Sequence, residues 1–232
     1  MIALALLLLS LGSADLVRPQ DRPARGAAVG SIATSALVAG LVCWGAGLPG
    51  WWALVAAVVV AGWVITTPES AVPRATHPWP LVALAVLALA AVAAGGDQPT
   101  PEGWLVDWYA TLGISALDGV PFTSFALGAA CLVFLVDSAN IIVRMVLAST
   151  DAGVMASEQT LKGGRVLGPI ERVLIFAMAL SGEYAALTAI VAAKGILRFP
   201  EISRDVAGRK AEYVLVGSFV SWALALAAVP LL

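Results

Sequence analysis

The chain has 232 residues, 60% of them hydrophobic and 12% charged, with a net charge of −2 and a mean hydropathy of +0.94. Soluble domains carry roughly 25% charged residues, so this composition excludes an ordinary water-soluble globule and makes lipid the solvent for most of the chain. The slightly acidic balance gives no case for nucleic-acid binding.

A spanning helix needs about 20 mostly apolar residues, sometimes about 17. Segments 2–16, 27–48, 51–66, 79–94, 122–148, 166–181, 184–199 and 211–230 meet or approach that length. The sequence therefore predicts an all-α polytopic transmembrane bundle of about eight helices, one integral membrane domain over 1–232. Residues 1–120 hold charge-poor helices and 121–232 hold helices with polar groups inside. The start, MIALALLLLSLGSAD, has the small residues of a signal-peptide end but no positive n-region, so it reads as a retained first helix. GLPGWW, residues 47–52, reads as a tight turn with Trp51 and Trp52 at the membrane interface. Pro80 and Pro121 stand at or just before helix starts, where proline is tolerated. The single His77 lies in a Pro-rich loop. Cys43 and Cys131 sit in apolar runs without CxxC spacing. This gives no metal site and no cofactor, and makes the cysteines small packing residues.

Residues 101–118, PEGWLVDWYATLGISALD, are too polar to span. Trp104, Trp108 and Leu112 recur at i, i+4 and i+8, with Leu105 and Tyr109 beside them and Asp107 away from that face. The segment reads either as a short interfacial helix on the outer surface or as an ordered loop anchored by its tryptophans. With eight helices, the 13 Lys and Arg lie on or near one side, and the opposite loops carry Asp97, Glu102, Asp107, Asp118 and Glu183. The positive-inside rule then places both termini outside the cytoplasm, in a bacterial-type inner membrane crossed many times. The closely spaced pair 166–199 could instead be one re-entrant hairpin. Glu183, after Gly182 in LSGEYAAL, reads as a first-turn or cap residue, or as an outer gate.

FLVDSANIIVRMVLA, residues 134–148, places Asp137, Asn140 and Arg144 in an apolar run. On one helix, spacings of three, four and seven stack them along one face, which must look at protein or water. Later helices carry matching groups: Glu171 and Arg172, then Lys194 and Arg198, then Glu212. By depth all fall in the cytoplasmic half, where Asp137, Glu171 and Glu212 can meet Arg144, Arg172, Lys194 and Arg198. A charge at the bilayer centre costs about 2.5–3.5 kcal/mol on insertion scales, so pairing is close to required. Such a cluster can be architecture, fixing helix register. It can be a ligand site gripping a phosphate or carboxylate headgroup. It can also be a proton or ion path.

GGRVLGPIERVLIFAMALSGEYAALTAIVAAKGILRFPEIS followed by AEYVLVGSFVSW, within residues 163–222, resembles the C-terminal membrane part of an uncharacterised bacterial membrane-protein family, a domain of unknown function. The shared features fall on Gly164, Gly168, Glu171, Arg172, Lys194, Arg198, Phe199, Glu212, Tyr213 and Gly217. The resemblance implies a recurring three-helix unit and supplies no activity.

The leading expectation is a transporter or binder of an anionic solute or lipid headgroup, with Asp137, Asn140, Arg144, Glu171, Arg172, Lys194, Arg198 and Glu212 lining the site. Lys194 and Arg198 would grip the anion. The alternative is a non-catalytic subunit or scaffold of a membrane complex, docking through 101–118 or forming a homo-oligomer. A third reading, an enzyme on a lipid phosphate, has no recognisable nucleophile. H-E-x-x-H, G-x-S-x-G and P-loop patterns are absent, so the balance leans away from an enzyme. Membrane lipids, anionic ones included, are the expected partners.

Overall fold

A computed structural model describes residues 1–18, 25–67, 78–94, 98–148, 164–203 and 209–232. All regular structure among the described residues is helical. The helices are α1 (Ile2–Val17), α2 (Arg25–Gly45), α3 (Trp51–Thr66), α4 (Trp79–Ala93), α5 (Trp104–Ala110), α6 (Phe122–Val136), α7 (Ser138–Ala148), α8 (Gly164–Leu180), α9 (Tyr184–Ser203) and α10 (Arg209–Ala227), with single 3₁₀ turns at Ser115–Leu117 and Val229–Leu231. His77, the loop cations Arg22, Arg74, Lys162 and Arg204, and the loop acid Asp97 lie outside the described residues.

Two helical stretches, Gly26–Gly45 and Ala211–Leu231, are each long and apolar enough to cross a membrane. α6 and α7 make a third if the break between them falls within one span. Ile2–Val17, Trp51–Thr66, Trp79–Ala93 and Tyr184–Leu197 are apolar but shorter. The helical character of all eight predicted segments is present, while the length and apolarity of a full span are reached in two or three.

The described residues form two compact units. The first runs from Met1 to Phe134 with Leu232. Its centre is α1, which is apolar all round and therefore needs covering on every side. Leu4, Leu6, Leu8, Leu11 and Ala14 are buried. α2 and α3 lie against α1 and against each other, and α4 touches α1. α4 is a thin cover: Pro80 is its one buried residue.

The turn from α2 to α3 closes by a Schellman motif. Leu48 N–H donates to Cys43 O at 2.7 Å and Gly47 N–H to Trp44 O at 3.4 Å. Gly47 has φ +66°, and a Cβ there would lie 1.8 Å from Glu102 O. Glycine is thus required both for the turn and for the approach of the 101–118 segment, whose Glu102 N–H donates to Ala46 O at 2.9 Å.

That segment holds a single seven-residue helix, α5, with no buried residue. Leu105, Tyr109 and Leu112 are half-buried. Trp104 and Trp108, on the same predicted face, stay half exposed at 49% and 48%. Trp104 meets Trp44 edge-on at 6.0 Å, and Tyr109 donates to Val120 O at 2.8 Å.

The second unit runs from Leu135 to Leu231. α10 is its centre and packs on α7 and α8, while α9 lies against α8 and α10. Val143 and Leu147 of α7 meet Tyr213, Val216, Val220 and Leu224 of α10. α8 and α9 form an antiparallel hairpin. Its turn is a second Schellman motif, with Glu183 N–H on Met178 O at 2.9 Å, Gly182 N–H on Ala179 O at 3.2 Å, and Gly182 at φ +72°. Glu183 is exposed and its carbonyl accepts from Leu187 N–H at 3.1 Å, which starts α9.

Candidate functional site

The polar centre of the second unit is built on the α8–α9 hairpin. Glu171 stands seven residues into α8 and Lys194 ten residues past the start of α9, so each is near the middle of its helix. The antiparallel pairing brings them together, with Lys194 Nζ donating to Glu171 Oε2 at 2.5 Å. α10 completes the group. Trp222 Nε1 donates to Glu171 Oε1 at 2.9 Å, and the Lys194 ammonium lies 5.4 Å from the centre of the Trp222 ring, within cation–π range.

The two partners are not equivalent. The Glu171 side chain is 8% exposed and held at both oxygens, whereas the Lys194 side chain is 21% exposed. An ammonium has three N–H donors, and Glu171 takes one.

Arg172, the next residue, faces elsewhere. It is 1% exposed. Its Nε donates to Leu135 O at 2.7 Å, one terminal nitrogen to Val136 O at 3.2 Å and the other to Ser221 Oγ at 3.2 Å. The reason lies in the break after Val136. A helix leaves its last carbonyls without intrahelical donors, and a planar five-donor guanidinium is shaped to cover several acceptors at once. The charges of Asp137 and Glu171 both act on this guanidinium.

Asp137 itself falls in the break. Its carbonyl accepts from Asn140 N–H at 3.0 Å and Ile141 N–H at 3.1 Å, so it caps α7. The single continuous helix expected over 122–148 is therefore two helices, and Asn140 and Arg144 share a face of α7 with Asp137 at its head. Asp137, Asn140 and Arg144 are each half-buried. Glu212 is exposed near the start of α10. Arg198 lies on α9, with its side chain outside the described portion. Of the eight candidate residues, the structure joins Glu171 directly to Lys194 and sets Arg172 beside them on a separate task.

A polar group that sequence reasoning did not single out lies in the first unit. Asp15 and Arg18, at the end of α1, are 1% and 7% exposed. Their side chains approach to 3.8 Å. Trp63 Nε1 donates to Asp15 Oδ2 at 3.1 Å. Arg18 donates to Thr67 Oγ1 at 2.9 Å, to Val64 O at 3.0 Å, and to Thr67 O. Arg18 therefore closes the C-terminal end of α3 as Arg172 closes that of α6. The available signals were the Asp-x-x-Arg spacing and the Trp63–Thr67 pair one turn apart. Each unit thus contains a carboxylate that accepts from an indole and sits beside a cation.

Beside α1, α3 and α4 lies an open apolar cleft of about 180 Å³, lined by Leu11, Trp63, Thr66, Trp79, Leu84 and Leu87 among others. Cys43 and Cys131 are buried free thiols. No group of three or more His, Cys, Asp or Glu suited to a metal occurs among the described residues. The chain matches no protein-family model, no curated protein and no solved structure.

Proposed function

We propose that this chain is a multi-pass helical membrane protein that binds and carries an anion, a solute or a lipid headgroup, at Lys194. The membrane part of the reading is supported by where its apolar surface lies. Leu37, Val58, Ile65, Leu89, Ile196 and Leu197 are 64–79% exposed on helix faces. Water-soluble proteins rarely leave contiguous apolar surface of that kind open. Exposed Trp44, Trp51, Trp104 and Trp108 gather about the α2–α3 turn and α5, as tryptophans do at a membrane–water interface. In an inner membrane of bacterial type, both termini lie on the face away from the cations.

The observation that carries the anion reading is the asymmetry of the Glu171–Lys194 pair. The carboxylate is fixed from both sides and shielded; the lysine is the more exposed partner, and Glu171 takes one of its ammonium's three donors. Glu171 and Trp222 position that ammonium, so an arriving anion finds it pre-oriented. Arg172 takes no part in binding, because it is 1% exposed and each of its three nitrogens donates to a backbone carbonyl or Ser221. Native mass spectrometry of protein gently extracted from its membrane tests this. A defined small anion or an anionic lipid is retained by the wild type and Lys194→Arg, and lost from Lys194→Gln. Equal adducts on all three refute it.

A second reading, a subunit of a larger membrane complex, is favoured by one feature. α5 buries none of its residues and keeps Trp104 and Trp108 half exposed. The same spectra would then carry a co-purified protein in fixed ratio, lost on Trp104→Ala with Trp108→Ala.

A further inference from the structure

We infer that the anion Lys194 takes is the headgroup of an amphiphile that enters sideways from the bilayer, with its chain lying on the apolar faces next to the ammonium. This rests on the anion reading above and narrows it.

The surroundings of the accessible side of Lys194 carry the argument. On α10, Leu215, Phe219 and Trp222 follow one another at i, i+4 and i+7, which places them on one stripe. Phe219 is 63% exposed and Leu215 48%, and Phe219 meets Trp222 edge-on at 5.6 Å. On α9, Leu197 stands three residues after Lys194 and is 79% exposed. Leu197 on α9 and Leu215 and Phe219 on α10 thus leave exposed apolar side chains on the two helices that carry Lys194 and Trp222. Among the described side chains, Lys194 is therefore the charged donor set beside this exposed apolar surface.

A free hydrated anion fits such a site poorly. It would give up water for one ammonium and greasy walls, and an ion stripped of water without several donors is strongly disfavoured. Arg172 does not supply the missing donors, being 1% exposed and turned to Leu135 O, Val136 O and Ser221 Oγ. An amphiphile has no such difficulty. Its chain is already in the apolar phase, Leu197, Leu215 and Phe219 receive it, and its anionic headgroup meets the ammonium. The Trp222 ring, polar at its Nε1 and apolar across its face, forms the wall between the two zones.

The test uses the full chain in non-ionic detergent and three probes read by native mass spectrometry. These are 1-oleoyl lysophosphatidate (anion with chain), glycerol 3-phosphate (the same anion without chain) and 1-oleoyl lysophosphatidylcholine (the chain with a zwitterionic head). Lysophosphatidate is expected to bind at least about 30-fold more tightly than either of the others. Lys194→Gln lowers its affinity about 10-fold or more, and Lys194→Arg keeps it within about threefold. Phe219→Ala, a change at an exposed position that leaves the fold intact, weakens lysophosphatidate several-fold. If glycerol 3-phosphate binds as tightly as lysophosphatidate and both depend on Lys194, the amphiphile is overturned and the anion site stands. If lysophosphatidylcholine equals lysophosphatidate and Lys194→Gln changes neither, the site reads chain alone and the anion reading falls with it. Absence of binding by all three probes overturns both.

Discussion

Replacing Lys194 by methionine leaves Glu171 as a carboxylate, 8% exposed, with the Trp222 indole as its remaining described hydrogen-bond donor. Removing one partner of a buried ion pair costs about 3–5 kcal/mol. The Lys194 side chain is 21% exposed, so solvent already weakens the pair, and about 2–3 kcal/mol is the expected loss. Glu171→Gln is gentler. The amide oxygen can still accept from both Trp222 and the ammonium, so neither partner is left without the other and the loss is about 1 kcal/mol. In the double variant neither charge is stranded, and the total returns to about 1 kcal/mol. The coupling energy across the cycle is thus about 2–3 kcal/mol. For a chain of 232 residues each kcal/mol moves Tm by about 2–4 °C, so Lys194→Met falls by about 4–12 °C and the double variant by less. The assay is thermal unfolding in detergent followed by near-ultraviolet circular dichroism. Losses that simply add, or a Lys194→Met protein within about 1 °C of wild type, refute the reasoning.

Further consequences can be measured in the same way. Arg172→Lys keeps the charge but replaces a fork that reaches Leu135 O, Val136 O and Ser221 Oγ. A point charge cannot span these acceptors, so Tm falls by the equivalent of about 1–3 kcal/mol; a wild-type Tm disproves the clamp. Trp63→Phe removes the donor to Asp15 and costs about 1–2 kcal/mol, and adding Asp15→Asn to it costs less than Asp15→Asn alone. Gly47→Ala forces a methyl toward Glu102 O at a positive φ. It is expected to lift the 98–121 segment, which limited proteolysis with mass mapping reads as faster cleavage there and nowhere else.

The helices were legible because their apolar runs and turn residues agree. Gly47 and Gly182 stand where glycine is needed, and the ends expected near 48, 66, 94 and 181 fall within three residues of those observed. The break at Asp137 was missed because its cause is a backbone effect: the Asp137 carbonyl caps α7 while α6 stops one residue earlier. Asp followed by Ser is a helix-start signal that the surrounding apolar residues masked. Charge counting found Glu171 and Lys194 because both partners are side chains. It set Arg172 among carboxylates, whose charges do act on it, but could not show that its hydrogen-bond acceptors are two carbonyls and a hydroxyl, since carbonyl acceptors leave no mark in a sequence. Asp15 and Arg18 were read as the end of a helix and the start of a loop. Only the return of α3 beside α1 reveals them as a buried group.

On the multi-pass reading proposed above, the tight α8–α9 turn has a consequence for how the chain enters a membrane during synthesis. Glu171 emerges 23 residues before its cation and 51 before Trp222. Either helix inserted alone would carry Glu171 or Lys194 near its middle without the other, at about 2.5–3.5 kcal/mol for such a charge. Gly182 lets the hairpin close as soon as Lys194 is made, and Arg172 finds its two carbonyl partners in chain made 36 and 37 residues earlier. The smallest piece that enters lipid with these charges already answered is therefore the closed hairpin, not a helix. A ribosome-stalled series should show membrane integration of α8 rising abruptly once Lys194 has left the exit tunnel, rather than when α8 itself is complete.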